Sequence, residues 1–142
     1  MPEARLYTGE DFGDDRGILR FFNTFDLSSI RRMYEIRPSN TSYFRGWQGH
    51  KIESKWFYCL SGSLNIWLVK VDNFESPSPE LNPKAFELKV EEPSILEVPG
   101  GYATGIQALR ANSGLMVFSD YSLRESKADD YRYPKDLWVI NG

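Results

Sequence analysis

The 142-residue sequence is poor in several residue types, and each scarcity limits what the protein can be. It has one cysteine, Cys59, so no disulfide forms within a chain, and the apolar setting "KWFYCLSG" predicts a buried, inert thiol. It has no basic excess. With 17 Lys and Arg against 20 Asp and Glu the net charge is −3, which removes the electrostatic footprint that a nucleic-acid partner requires. No stretch approaches the ~18 apolar residues of a membrane span. The N-terminal "MPEARLYTGEDFGDDRG" carries acids where a secretory leader has a basic and then an apolar run. Neither export nor a membrane is predicted, and the single thiol suits a reducing cytoplasm.

What is abundant is aromatic: Phe, Trp and Tyr make up 15% of the chain, a composition that suits strands and stacking surfaces better than exposed helices. The length predicts one domain spanning 1–142, with a core over about 17–123 and a C-terminal extension over 124–142. Short runs rich in Ile, Val, Phe, Tyr and Trp recur between turn signals: "GILRFF", "IRRMYEI", "SYFRGW", "KWFYCLSG", "SLNIWLVKV", "AFELKV", "SILEVPGG" and "GLMVFSDY". Eight strands with almost no helical periodicity predict an all-β sandwich or barrel.

The Ser61-Gly62 pair supplies a hairpin turn between two of these runs. "SLNIWLVKV" is apolar on both faces, Leu64, Ile66 and Leu68 on one and Trp67, Val69 and Val71 on the other. Such a strand is central or lies at an interface, and a symmetric partner is expected to cover its second face, making a homodimer. "DNFESPSPELNPK" reads as a surface excursion before the same sheet resumes. "RESKADDYRYP" reads either as one or two helical turns stopping before the proline or as a solvated tail. The Pro99-Gly100-Gly101 turn forces a corner that returns residues 102–107 to the sheet.

Two stretches resemble the paired motifs of the cupin superfamily: Gly, His-x-His, an acid and a second Gly, then Pro-x-Gly before another His. The resemblance implies a cupin double-stranded β-helix, a jelly-roll barrel in which four ligands converge. Registered on Gly62 and on Pro99-Gly100-Gly101, the ligand positions hold Gln48, His50, Lys55 and Thr104. A divalent metal needs three or four N, O or S donors, and an ammonium among them adds repulsion, so no metal and no other cofactor is expected.

Metal-free cupins include enzymes of nucleotide-linked 4-keto-6-deoxy sugars, and the chain resembles two such families. The dTDP-4-dehydrorhamnose 3,5-epimerases are similar through "RGWQ", Lys55 seven residues before Gly62, "ESPSPE", "PGGYATG" and "SDYS". The dTDP-sugar 3,4-ketoisomerases are similar through "RGWQGHK" and "CLSGS". The resemblance covers about 30–121.

It implies proton removal beside a ketone, which needs a base, a group to stabilise the enolate and an acid to return the proton. Arg45 matches the arginine that holds the diphosphate, a task suited to a planar fork of donors; a surface arginine is the plainer alternative. Lys55 matches the lysine near the sugar carbonyl, or is an edge-strand lysine opposing aggregation. His50, the one histidine of the chain, matches the second histidine of the ketoisomerase pair and is the candidate base, or is a satisfied structural residue. Tyr34 lies near the ketoisomerase tyrosine and is the candidate acid.

Three positions depart from the pattern. Gln48 stands where both families place a catalytic histidine, and an amide can hold a sugar hydroxyl but cannot accept a proton at neutral pH. Met116 stands at the epimerase acid, and Thr104 replaces another histidine, leaving a group that can bind substrate. Gly46 and Gly49 permit bulges, so alternation does not decide which side chains face inward. Three readings follow: an epimerase or ketoisomerase acting on a dTDP-4-keto-6-deoxyhexose, a barrel that binds a sugar nucleotide or carbohydrate without turnover, or a small-molecule cupin of unrelated chemistry, since fold does not fix function.

Overall fold

The runs of β-branched and aromatic residues fold into antiparallel strands, and one short helix is the only α-helical element among the described residues. The computed structural model describes residues 3–140. One five-stranded sheet has the order β1 (Arg5–Thr8), β9 (Ser94–Val98), β6 (Lys55–Ser61), β11 (Gly114–Ser119), β4 (Arg32–Ile36). The second has the order β12 (Tyr131–Arg132), β5 (Arg45–His50), β10 (Tyr102–Ala108), β7 (Ser63–Lys70), β8 (Lys84–Lys89). The strands β2 (Glu10–Asp14) and β3 (Gly17–Phe21) pair only with each other, and α1 (Leu123–Lys127) follows β11.

Among the described residues twelve strands form where the sequence suggested eight. The additions are β10, which the glycine corner returned to the sheet, the N-terminal β1 and β2, and the two-residue β12. Both β1 and β12 are paired into the main sheets from outside the 17–123 core read from the sequence. The run "SYFRGW" is strand only from Arg45, and that strand continues to His50. Its second half is polar because it faces a cavity.

Two apolar clusters hold these layers. Between the sheets pack Phe57, Leu64, Ile66, Leu68, Leu96, Leu115 and Val117. The other face of β7 contributes Trp67 and Val69 to a second cluster with Trp47, Val71, Phe74, Ala103 and Trp138. This corrects the expected partner-covered face. The chain covers it itself, with Phe74 and Leu81 from the loop after β7 and with Tyr133, Leu137, Trp138 and Ile140. Each fully buried side chain of this size contributes roughly 1.5–3 kcal/mol. The loop "DNFESPSPELNPK" is thus part of the core as well as an excursion.

The predicted turns are present. Gly62 joins β6 to β7 at φ +67°, and a Cβ there would lie 2.2 Å from Ser113 Oγ, so only glycine fits. At the corner between β9 and β10, a Cβ on Gly100 would lie 2.6 Å from the Lys51 carbonyl oxygen. That close approach seats the corner on the loop following β5. Cys59 is buried as predicted, and burial pushes its thiol pKa up.

Candidate functional site

The site lies where β5 and β10 of one sheet face β6 and β4 of the other. Thr104 pairs with Gln48 and Tyr102 with His50, while a register shift before Ile106 brings that residue opposite Arg45. Across the core, Lys55 begins β6 and lies opposite Ser119 of β11, the strand that also carries the partner of Tyr34, Val117. A cavity of about 360 Å³ opens between the layers. Tyr34, Arg45, Gln48, Lys55 and Thr104 all line it, so five of the six residues singled out in the sequence share one hollow.

His50 lies behind that cavity. It is 5% exposed and lines an inner chamber of about 10 Å³, with Glu53 and Tyr102. Lys55 and Thr104 line both spaces and form the boundary between them. The inner chamber has room for about one water molecule. Met116 sits on β11 opposite Glu35 and Tyr58 and is absent from the cavity lining.

Sequence reading missed the wall supplied by the C-terminal segment. Arg132, Tyr133 and Lys135 line the main cavity, with Tyr43 from the loop before β5. The segment is fastened to β5: Trp47 Nε1 donates to the Lys135 carbonyl at 3.1 Å, and Trp47 and Tyr133 exchange backbone hydrogen bonds of 3.3 and 3.1 Å. Lys135 Nζ lies 4.6 Å from the centre of the Tyr43 ring. Burial raises the Tyr133 pKa to about 12, so its hydroxyl stays protonated and donates to the Phe74 carbonyl at 2.7 Å. The alternation of aromatic and basic residues in "YRYPK" was the available signal.

The cavity is cationic and poorly compensated. Among the described residues neither Lys55, Arg45 nor Lys135 has a carboxylate within 4.0 Å. Lys55 is only 6% exposed; its ammonium donates to Gln48 Oε1 at 3.5 Å and lies 5.6 Å from the Tyr34 ring centre. Gln48 is fixed at both ends, because its Nε2 donates to Asp130 Oδ1 at 3.1 Å. Arg132 Nε donates to the same oxygen at 2.7 Å. Burial works to raise the Asp130 pKa, but the hydrogen bonds from Arg132 and Gln48 outweigh it and hold the carboxyl below its usual value.

The inner chamber is pinned from behind. Asp129 accepts from the backbone N–H groups of Lys51, Ile52 and Glu53 at 2.8, 2.9 and 2.8 Å, and Asp120 accepts from that of Ser54 at 2.9 Å. Helix α1, closed by a Ser122–Glu125 capping box, positions Ser126 and Asp129 for these contacts. Glu53 is buried and accepts from Ser119 Oγ at 2.5 Å, Ser126 Oγ at 2.7 Å and Arg32 at 3.3 Å. His50 Nδ1 lies 2.7 Å from the Asp129 carbonyl oxygen, which can only accept, so the neutral ring carries its proton on Nδ1. Nε2 then presents a lone pair, and it has no hydrogen-bond partner among the described residues. Burial pushes the imidazole pKa down, the Lys55 ammonium adds to this, and Glu53 opposes them. Such a ring is neutral at physiological pH and available as a proton acceptor.

No protein-family model and no curated protein matches the chain. Solved structures do. The sugar 3,4-ketoisomerase QdtA from Thermoanaerobacterium thermosaccharolyticum, in complex with TDP, superposes with a TM-score of 0.71 at 23% identity, covering 94% of this chain and 90% of that one. The RmlC epimerase of Mycobacterium tuberculosis gives 0.76 at 20% identity, covering 98% and 74%. The dTDP-4-dehydrorhamnose 3,5-epimerase of Bacillus anthracis, with TDP and pyrophosphate bound, gives 0.73 at 20% identity, covering 99% and 87%. The chain has the RmlC-like cupin fold.

In this cupin barrel the four expected ligand positions converge on the boundary between the two chambers, but their chemistry does not suit a divalent ion. Lys55 places an ammonium there, and the Gln48 amide is already engaged by Lys55 and Asp130. His50 is left as the one good donor. Among the described residues no three His, Cys, Asp or Glu side chains are grouped to hold a metal.

Proposed function

We propose that this cupin isomerises a nucleotide-linked keto sugar, a dTDP-4-keto-6-deoxyhexose, by metal-free proton transfer through an enolate. The observation that carries the reading is a cavity in which Lys55, Arg45 and Lys135 lack carboxylate partners among the described residues, backed by an imidazole nitrogen with a free lone pair. Structural neighbours bind TDP, and one was solved with TDP-4-keto-6-deoxyglucose. A sugar diphosphate supplies the missing negative charge and a ketone for Lys55.

Arg45 binds the diphosphate, with Arg132 and Lys135 across the opening; charge-assisted bonds of this kind contribute about 1.5–3 kcal/mol each. Gln48 and Thr104 orient sugar hydroxyls. The C–H bond next to the ketone breaks, its electron pair forms the enolate, and Lys55 stabilises the charge on oxygen. The proton passes to His50 Nε2 through one water or the Thr104 hydroxyl at the chamber boundary. The hydroxyl proton on the first carbon moves to the enolate oxygen, and Tyr34, whose ring adjoins Lys55, gives its phenol proton to the former ketone carbon. The proton held by His50 then returns to Tyr34 through water, restoring both groups.

The test is incubation with dTDP-4-keto-6-deoxyglucose in deuterated water followed by NMR. Deuterium entering the carbons that flank the ketone is expected. The recess of His50 behind the cavity favours a second reading, a binding module without turnover. Tight binding of the sugar nucleotide with no exchange would establish that alternative, and failure of dTDP to bind would reject both.

A further inference from the structure

Glu53 was not singled out by any sequence motif, yet it is the only carboxylate within 4.0 Å of the histidine ring among the described residues. Its side chain is completely buried, and an isolated carboxylate in such a place is costly unless its oxygens are satisfied. They are: Oε1 accepts from Ser126, Oε2 from Ser119 and Arg32. Three elements, α1, β11 and β4, therefore hold one negative charge at a fixed point. That point is 3.4 Å from His50 Nδ1.

We propose that Glu53 is the positioning residue of His50: its carboxylate and the Asp129 carbonyl grip the Nδ1 side of the ring, turn Nε2 to the inner chamber and stabilise the imidazolium formed when Nε2 takes up a proton. The catalytic sense of this link rests on the isomerase reading; the link itself does not. On proton uptake the imidazole gains one positive charge opposite a carboxylate already in place, so nothing needs to reorganise. When the proton returns, the ring reverts to the Nδ1–H form that the Asp129 carbonyl selects.

The other charged groups around the ring do not duplicate this. Lys55 on β6 opposes the imidazolium. Arg32 on β4 compensates Glu53 in part. The Asp129 carboxylate, after α1, is occupied by three backbone N–H groups, and Asp130 by Arg132 and Gln48. The Tyr102 phenol on β10 is turned away to Glu3, to which it donates at 3.0 Å.

Because the chain has one histidine, its imidazole can be followed without overlap by nitrogen-15 NMR. The wild type is expected to show the Nδ1–H tautomer at neutral pH. In Glu53→Gln the protonation midpoint should fall by about one pH unit, a tenfold weaker proton affinity, because an opposite charge within a few ångströms is lost. Glu53→Asp should restore part of the shift. Arg32→Gln, at the accessible end of the network, should move the midpoint upward and serves if Glu53→Gln does not fold. In the exchange assay the acidic limb of the pH profile should follow the same shifts. An Nε2–H tautomer in the wild type, or a midpoint unmoved by these substitutions, would overturn the assignment. Absence of exchange in the wild type, with the NMR shifts present, would reject the isomerase reading and leave the Glu53–His50 link supported.

Discussion

The two chambers that meet at Lys55 are built on opposite rules. The outer one is large and lined by Arg45, Arg132, Lys135 and Lys55, of which only Arg132 has a carboxylate within 4.0 Å among the described residues. The inner one is far smaller and lined mostly by buried residues, and the segments around it are pinned by Asp129, Asp120 and Glu53. The outer chamber is thus organised to receive charge, and the inner one to hold a single lone pair still. What separates them is one lysine and one threonine. Binding and proton transfer can therefore be damaged independently, which a single undivided pocket would not allow.

The largest effect expected is on the outer wall. Trp138 is 1% exposed and stacks edge-on against Trp47 and Tyr133, so Trp138→Ala should cost about 3–5 kcal/mol of stability in urea unfolding. It should also loosen Arg132 and Lys135 while leaving the His50 tautomer intact; a changed tautomer would show that the chambers are not separable.

Next comes the shared boundary. Lys55→Met should lower deuterium exchange about 10²–10³-fold, in line with loss of one transition-state donor. It should leave dTDP affinity nearly unchanged, as measured by calorimetry. Arg45→Ala should do the reverse, weakening dTDP binding about 10–100-fold through loss of charge-assisted bonds. Its salt dependence should flatten, and the His50 titration should stay where it was. Equal effects of Lys55→Met and Arg45→Ala on both readouts would dissolve the distinction between the chambers.

The smallest effect is on stability against pH. His50 has a folded pKa below the usual 6.5, so the unfolded chain binds the proton more readily. Stability is complete above that value and declines as pH falls from it toward the folded pKa. His50→Asn should flatten this part of the curve, and an unchanged slope would mean that the buried ring is not neutral.

Much of the architecture was legible because strands announce themselves by alternation. Leu64, Ile66 and Leu68 against Trp67 and Val69 gave β7 two apolar faces, and both are buried. What local pattern cannot carry is the identity of the element that covers a face. A partner chain and a later segment of the same chain read alike, and Trp138 decides the matter only in three dimensions. The two-residue β12 is too short to show periodicity, so Arg132 and Lys135 escaped notice. In the site, motif spacing picked out Arg45, Gln48, Lys55 and Thr104, which line one cavity because β5 pairs with β10 and β6 faces them from the other sheet. Depth was illegible: Gln48 and His50 are two residues apart, but Asp129 holds the His50 imidazole behind the cavity that Gln48 lines.

The uncompensated cations at the mouth have a cost in discrimination. A cell contains many phosphorylated metabolites, and guanidinium and ammonium groups at an open rim attract them all to a similar degree. Charge admits a crowd; choice among its members then falls to the neutral amide of Gln48, clamped between Lys55 and Asp130, and to the hydroxyl of Thr104 opposite it on the next strand.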